Sequence, residues 1–166
     1  MGCKALFVGG IKSGKSKKSE TYTLSHSTKK PIYLATTEFF DDEMRKKIAL
    51  HQAQRGDLFH TIEEPLKLYD ALPNNGSYVL IECMSMWINN MLYHNFTQED
   101  IFAEIDKLAC NYDHLVFVIN DVSCTVVSDN KLLREFVDIN GLVSSKLASL
   151  CDEVFTTIAG LEVKIK

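Results

Sequence analysis

The strongest constraint on this chain is the run Gly9-Gly10-Ile11-Lys12-Ser13-Gly14-Lys15-Ser16, which fits the pattern G-x-x-x-x-G-K-[ST]. It follows the apolar stretch 4–9 directly and leads straight into a Lys- and Ser-rich segment, 14–25, that reads as a helix. A strand, a glycine-rich loop and a helix in this order form the context in which the pattern cradles phosphate. The glycines let successive backbone N–H groups turn toward phosphate oxygens, and the helix N-terminus adds positive potential. In such a loop Lys15 reaches the outer phosphates and the Ser16 hydroxyl ligates a magnesium ion. A strand is required behind the loop and a helix ahead of it, which commits the chain to an α/β fold.

The rest of the sequence agrees. Residues 31–36, 78–82, 115–119 and 153–158 read as strands, and a turn at Gly160 leads to a last short one at 161–165. Helices are expected over 65–72, 84–93, 98–110 with Thr97 as N-cap, and 130–150, the last bent or broken near Gly141. Apolar runs without polar alternation are buried on both faces. The expectation is therefore a mostly parallel sheet with helices on both faces, in one domain spanning 1–166. Ligands of such sheets bind beyond the carboxyl ends of the strands, where Gly9, Thr36, Glu82 and Asn120 fall.

Charge sharpens what the ligand can be. Lys and Arg number 18 against 22 Asp and Glu, a net charge of −4, so the chain lacks the basic footprint of a nucleic-acid binder. An anionic ligand needs a local site, and Lys12, Lys15, Lys17 and Lys18 supply a basic patch around the loop. No apolar run approaches the roughly 18 residues of a membrane span. The N-terminus lacks the charged-then-apolar layout of a secretory signal, which points to the cytoplasm. Cys3, Cys83, Cys110, Cys124 and Cys151 are odd in number and never spaced C-x-x-C. That is a reduced, intracellular pattern, in which most of them are expected to be buried as small apolar residues.

A phosphate loop needs a second carboxylate at a neighbouring strand end to orient the metal or its waters. Glu82 is the first candidate, and Asp121, after the next strand, the second. Asp41-Asp42-Glu43 opens another helix, on which Met44, Ile48 and His51 fall at i, i+4 and i+7, an apolar face expected to look inward. A histidine so placed is more often a core residue than a catalyst. His51 has company, however: Arg55 stands four residues on, and Asp41, Asp42 and Arg45 lie on the preceding turns. A neutral imidazole beside cations can attack phosphorus while the cations hold phosphate charge. Arg45, Lys46 and Lys47 themselves read as a solvated helix face.

These residues carry a resemblance. F-V-G-G-I-K-S-G-K-S at 7–16, Y-L-A-T-T at 33–37, D-D-E-M-R-K-K-I-A-L-H-Q-A-Q-R at 41–55, T-I-E-E-P at 61–65, E-C-M-S-M-W-I-N-N at 82–90 and R-E-F-V-D-I-N-G at 134–141 follow one another in order and spacing. Together they resemble the bifunctional adenosylcobinamide kinase / adenosylcobinamide-phosphate guanylyltransferase family of the cobalamin nucleotide-loop pathway. The likeness implies a RecA-like, P-loop NTPase-type protein, trimeric, with its sites near subunit contacts. It implies two steps. ATP or GTP phosphorylates the aminopropanol hydroxyl of adenosylcobinamide; the histidine matching His51 then attacks the α-phosphorus of GTP, and adenosylcobinamide phosphate resolves the guanylylated ring. It further implies nucleotide contacts at 9–16, Thr36, Arg55, Glu63 and Glu82, and Mg2+ at Ser16 and Glu82.

One segment departs from the pattern. Where the family carries N-E-V-G-x-G-x-V-P, this chain reads Asn120-Asp121-Val122-Ser123-Cys124-Thr125-Val126-Val127-Ser128, without either glycine or the proline. A loop lacking glycine cannot take positive φ cheaply, so a different loop shape is expected. Lys12, often Arg in the family, keeps the charge and loses the bidentate fork. Two other readings stay open at this level: a kinase of another small hydroxyl compound with His51 structural, and a nucleotide-binding protein whose altered loop marks lost chemistry.

Overall fold

A computed structural model of the chain describes residues 2–38 and 41–166. Seven strands form one sheet: β1 (Cys3–Gly9), β2 (Ile32–Ala35), β3 (His60–Glu63), β4 (Val79–Glu82), β5 (His114–Asn120), β6 (Glu153–Ile158) and β7 (Leu161–Lys164). Their order across the sheet is β3-β2-β4-β5-β1-β6-β7. Every pairing is parallel except the terminal hairpin of β6 with β7. The helices are α1 (Lys15–His26), α2 (Asp42–Arg55), α3 (Leu68–Ala71), α4 (Met84–Tyr93), α5 (Gln98–Asn111) and α6 (Lys131–Leu150), with a 3-10 turn at Gly56–Leu58.

Alternation along the strands divides the core between the two faces. β1 sends Leu6 to one side, where it joins Trp87, Ile88, Ile105, Val143 and Leu147 from α4, α5 and α6. It sends Ala5 and Phe7 to the other, where Phe7 stacks on Phe155 at 4.8 Å and meets Tyr22 of α1 edge-on. Fully burying a side chain such as Phe7 or Phe117 contributes about 2 kcal/mol. The register then sets one active edge. Ala35 lies opposite Glu82, Ile81 opposite Phe117, and Gly9 opposite both Asn120 and Thr157, so the carboxyl ends of five strands gather at one edge, with β2 and β4 stopping short of the other three.

A small polar network locks that edge to the helices behind it. Ser85 donates to Asn140 Oδ1 at 2.6 Å and accepts from the Asn120 N–H at 2.9 Å, while Asn140 Nδ2 donates to the Asn120 carbonyl at 2.9 Å. Ser85 and Asn140 are both buried, so each bond is made where an unpaired group would be costly.

Four expectations need correction. β3 was not foreseen, because His60-Thr61-Ile62-Glu63 is an edge strand with a single half-buried apolar residue and no apolar run. α3 covers only four residues, since Glu64 accepts the Leu66 and Lys67 N–H groups and holds the preceding turn out of the helix. α6 runs unbroken through Gly141, which is exposed and has open space where a Cβ would go, while Ile139, Asn140, Val143 and Leu147 bury its inner face. Of the cysteines only Cys151 is buried; Cys110 and Cys124 are exposed, on the outer face of α5 and in the loop after β5. Among the described residues no helix is long and apolar enough to cross a membrane.

The terminal hairpin is tied to α1 by charge. Lys164 and Tyr22 both donate to the Glu153 carboxylate, which these bonds, that of Lys164 first, hold below its ordinary value of 4.5. A depressed carboxyl stabilises the fold above the unfolded-chain value and loses that contribution as pH falls through the folded value. The stability lost in Glu153→Gln, read from urea midpoints, should therefore be present at neutral pH and vanish as pH drops below 4.5.

Candidate active site

The loop between β1 and α1 is held from behind. A Cβ on Gly9 would lie 2.2 Å from Thr157 Oγ1 and 2.4 Å from Ser13 Oγ, two hydroxyls bonded to each other at 2.8 Å. The Gly160 N–H donates to the Ser13 carbonyl at 2.9 Å, so β6 and its turn brace the loop. Gly14 takes φ of 96° and Lys12 φ of 57°, which bends the backbone into α1. Lys15 is buried and donates to the Gly10 carbonyl at 3.1 Å, across the mouth of the loop. Ile11 and Lys12 are exposed at its tip.

Glu82 closes the other side. The Ser16 hydroxyl donates to its Oε1, while Oε2 is buried without a hydrogen-bond partner. Burial raises this carboxyl above its ordinary 4.5, against the Ser16 hydrogen bond and the charges of Lys15, Arg55 and His51. Among the described residues no three His, Cys, Asp or Glu side chains are grouped to hold a metal by themselves. A hydroxyl beside a carboxylate with an idle oxygen suits magnesium, which keeps several waters and takes its remaining ligands from phosphate.

Thr36 sits just behind this pair and is fully buried. Its hydroxyl donates to the Cys83 carbonyl at 2.8 Å and accepts from the Cys83 N–H at 2.9 Å, while its own N–H donates to the Glu82 carbonyl at 3.1 Å. Asn90 of α4 completes the latch through the Thr36 carbonyl at 2.7 Å. Thr36 thus holds the end of β4 and does not line the open cleft. Asp121 is committed elsewhere: its N–H donates to the Gly9 carbonyl at 2.9 Å, and its carboxylate accepts from the N–H and hydroxyl of Ser123. These bonds hold its carboxyl below the ordinary range. No described residue from 121 to 130 has positive φ, and the Asp121 carboxylate turns the chain by accepting from Ser123.

His51 faces the phosphate loop across a cleft of about 660 Å³, which Lys12, Lys15, Ser16 and Glu20 line from the loop and α1, and His51, Gln54 and Arg55 from α2. The expected inward stripe is corrected here: Met44 and Ile48 are half-buried and His51 is exposed. The inner face of α2 borders the cleft at the sheet's edge and does not cover the sheet. Arg55 is the one buried residue of α2, with its guanidinium carbon 3.6 Å from the centre of the Tyr33 ring. Such a contact contributes on the order of 2 kcal/mol when desolvated. Glu63, at the end of β3, is exposed and accepts from Gln52 Nε2 at 3.0 Å. Of the basic patch, Lys12, Lys15 and Lys17 reach the cleft and Lys18 does not.

Sequence reasoning missed Glu20, Gln54 and Tyr33. Glu20 was findable, standing four residues after Ser16 on the same face of α1. Burial raises its carboxyl first, then the charge of Glu82, against that of Arg55. A roomier groove of about 850 Å³ lies between the α4–α5 junction and the first turns of α6, and none of these residues enters it.

Comparison with known proteins bears on this geometry. A family model described as cobinamide kinase / cobinamide phosphate guanyltransferase matches residues 5–165. The chain is 32% identical to the bifunctional adenosylcobalamin biosynthesis protein CobU of Escherichia coli, over 97% of this chain and 98% of that protein. It is 32% identical to the bifunctional protein CobP of Pseudomonas aeruginosa, over 97% and 96% of the two chains. Among solved structures it is similar to the type III secretion ATPase EscN of enteropathogenic E. coli, with TM-score 0.52 and 13% identity over 95% of this chain and 43% of that one. A second type III secretion ATPase gives TM-score 0.50 and 11% identity, over 99% and 57%. The chain spans about half the length of these two ATPases, and at such identities the likeness shows a P-loop ATPase fold alone.

The Thr36 latch makes a specific prediction. Thr36→Val keeps the side-chain shape and leaves the Cys83 N–H unpaired, while the Cys83 carbonyl keeps only the Trp87 N–H at 3.1 Å, at a cost of about 1–3 kcal/mol. Urea unfolding should show that loss, and magnesium-dependent nucleotide binding, measured by calorimetry, should weaken with it because Glu82 is no longer held.

Proposed function

The chain belongs to the cobinamide kinase / cobinamide phosphate guanyltransferase family, and from that premise we propose that both reactions run in the single cleft between the phosphate loop and His51. In the first, the terminal phosphoryl group of ATP or GTP passes to the aminopropanol hydroxyl of adenosylcobinamide; the new O–P bond forms as the bridging O–P bond breaks. In the second, an imidazole nitrogen of His51 attacks the α-phosphorus of GTP and pyrophosphate departs. Adenosylcobinamide phosphate then takes the guanylyl group from the ring, giving adenosylcobinamide-GDP.

The observation that carries this reading is the shared cleft: a phosphate cradle and an exposed histidine line one space. The backbone N–H groups of the loop and the Lys15 ammonium would hold the triphosphate and, in the second step, the leaving pyrophosphate, where negative charge collects. Ser16 and Glu82 would hold a magnesium ion arriving with the nucleotide, whose positive charge neutralises phosphate oxygens. Splitting the transfer through His51 replaces one difficult displacement by two easier ones.

The reading includes a homo-oligomer, a trimer by resemblance. The exposed Val126 and Val127 in the loop after β5 and Leu161 and Val163 on β7 support contacts between subunits. We assign the work to the cytoplasm, where the nucleotide substrates are available.

Two measurements test the reading. Incubated with magnesium and GTP labelled at the α-phosphate, the wild type should take an acid-labile covalent label and His51→Ala none. An unlabelled wild type, or equal labelling of the variant, would overturn the histidine mechanism. Lys15→Ala should lose about 100-fold or more in both phosphorylation and guanylylation, because both use one phosphate cradle. Intact guanylyl transfer in that variant would separate the two sites.

A further inference from the structure

The helix that carries His51 has little to hold it. Apart from Arg55, every residue of α2 is exposed or half-buried, so almost no apolar surface fastens it to the sheet. Arg55 comes one turn after His51 and shares its face. Its guanidinium lies over the Tyr33 ring, 3.6 Å from carbon to ring centre. That ring is itself immobilised: Tyr33 is buried in β2, with Leu80 on one side, Thr61 on the other, and Phe59 edge-on at 5.8 Å. Glu20 of α1 and Glu82 of β4 add negative charge near the guanidinium from two further elements.

Burial alone does not set the role of Arg55, since Lys15 is equally buried; the contact with the Tyr33 ring does. An arginine that clamps phosphate presents its fork of N–H groups to the open site. Arg55 is only 7% exposed, and its Nε is buried without a hydrogen bond. A desolvated guanidinium resting on an aromatic face is a packing contact with charge attached, and here it joins the His51 helix to the strand beside Glu82.

We propose that Arg55 and Tyr33 form the seat that positions His51 over the phosphate loop, so that Arg55 serves guanylyl transfer by placing the nucleophile and not by holding nucleotide. Resting on the reading of His51 as the guanylyl acceptor, it adds two positioning residues to that reaction, one of them, Tyr33, outside the open cleft. A nucleophile must stand within a fraction of an ångström of its line of attack, and displacement by about 1 Å costs on the order of 100-fold in rate.

The test is single-turnover labelling of His51 from α-labelled GTP over a range of GTP concentrations, which separates the maximal rate from half-saturation. Arg55→Lys keeps the charge but not the planar guanidinium over the ring, and Tyr33→Leu removes the ring. Each should lower the maximal rate about 10- to 100-fold and leave half-saturating GTP within about threefold of wild type. Tyr33→Phe, which keeps the ring, should restore most of the rate lost in Tyr33→Leu. The reverse pattern in Arg55→Lys, about a tenfold rise in half-saturating GTP at an unchanged maximal rate, would make Arg55 a direct nucleotide contact and overturn the seat. So would wild-type labelling rates in Tyr33→Leu. Should Tyr33→Leu fail to fold, Arg55→Lys alone decides between the two patterns. A wild type that takes no label removes the functional reading and the seat with it, whereas a labelled wild type beside unaffected variants removes the seat alone.

Discussion

The hydrogen bond from Ser16 to Glu82 is the contact on which the rest of the site depends. It joins the first turn of α1 to the end of β4, elements from opposite ends of the nucleotide motif. It exists because β4 and β1 both flank β5, with β4 stopping short of β1, so that the first turn of α1 comes back over the end of β4. Everything around it serves to hold those two ends still. Thr157 and Ser13 fill the space behind Gly9, Thr36 pins Cys83, and Ser85 with Asn140 pins the end of β5. Each of these polar groups is buried and partnered, which makes the edge rigid as well as stable.

Glu82 itself is the exception: one of its oxygens is satisfied and the other is buried and idle. Burial resists its charge, while Lys15, Arg55 and His51 favour it. A carboxylate held in this balance gains most when a cation arrives with the nucleotide, which is the behaviour wanted of a metal ligand at a phosphate loop. Arg55 lies close to this balance, since its charge acts on Glu82, Glu20 and Tyr33 while its body packs on the Tyr33 ring. The two halves of the cleft, phosphate cradle and histidine helix, are thus joined by a few polar contacts and not by a broad apolar interface.

The loop from 120 to 128 shows how a family pattern can be lost without losing the fold around it. Two glycines and a proline are missing, yet the backbone avoids positive φ altogether and turns on the Asp121 carboxylate. Its connection to the phosphate loop runs through the Asp121 N–H, a group any residue but proline would supply.

Local chemistry made much of this protein legible. A strand, eight loop residues and a helix start are contiguous in the chain, so the phosphate loop, its lysine and its serine could be read without knowing what lies beside them. Apolar runs revealed β1, β2, β4, β5 and β6 for the same reason, and Thr97 announced the start of α5, where the capping box with Asp100 is formed. The edge strand β3 carries no such signal, because only one of its residues is half-buried. Side-chain partners across the sheet were equally invisible: Thr36 lies at a strand end like any ligand residue, and only the pairing of β2 with β4 turns its hydroxyl onto Cys83. The periodicity of α2 correctly set Met44, Ile48 and His51 on one face, but what that face meets is decided by tertiary packing. At His51 it meets a phosphate-binding cleft and not a core, because the one buried residue of the helix, Arg55 on Tyr33, lies at its last turn.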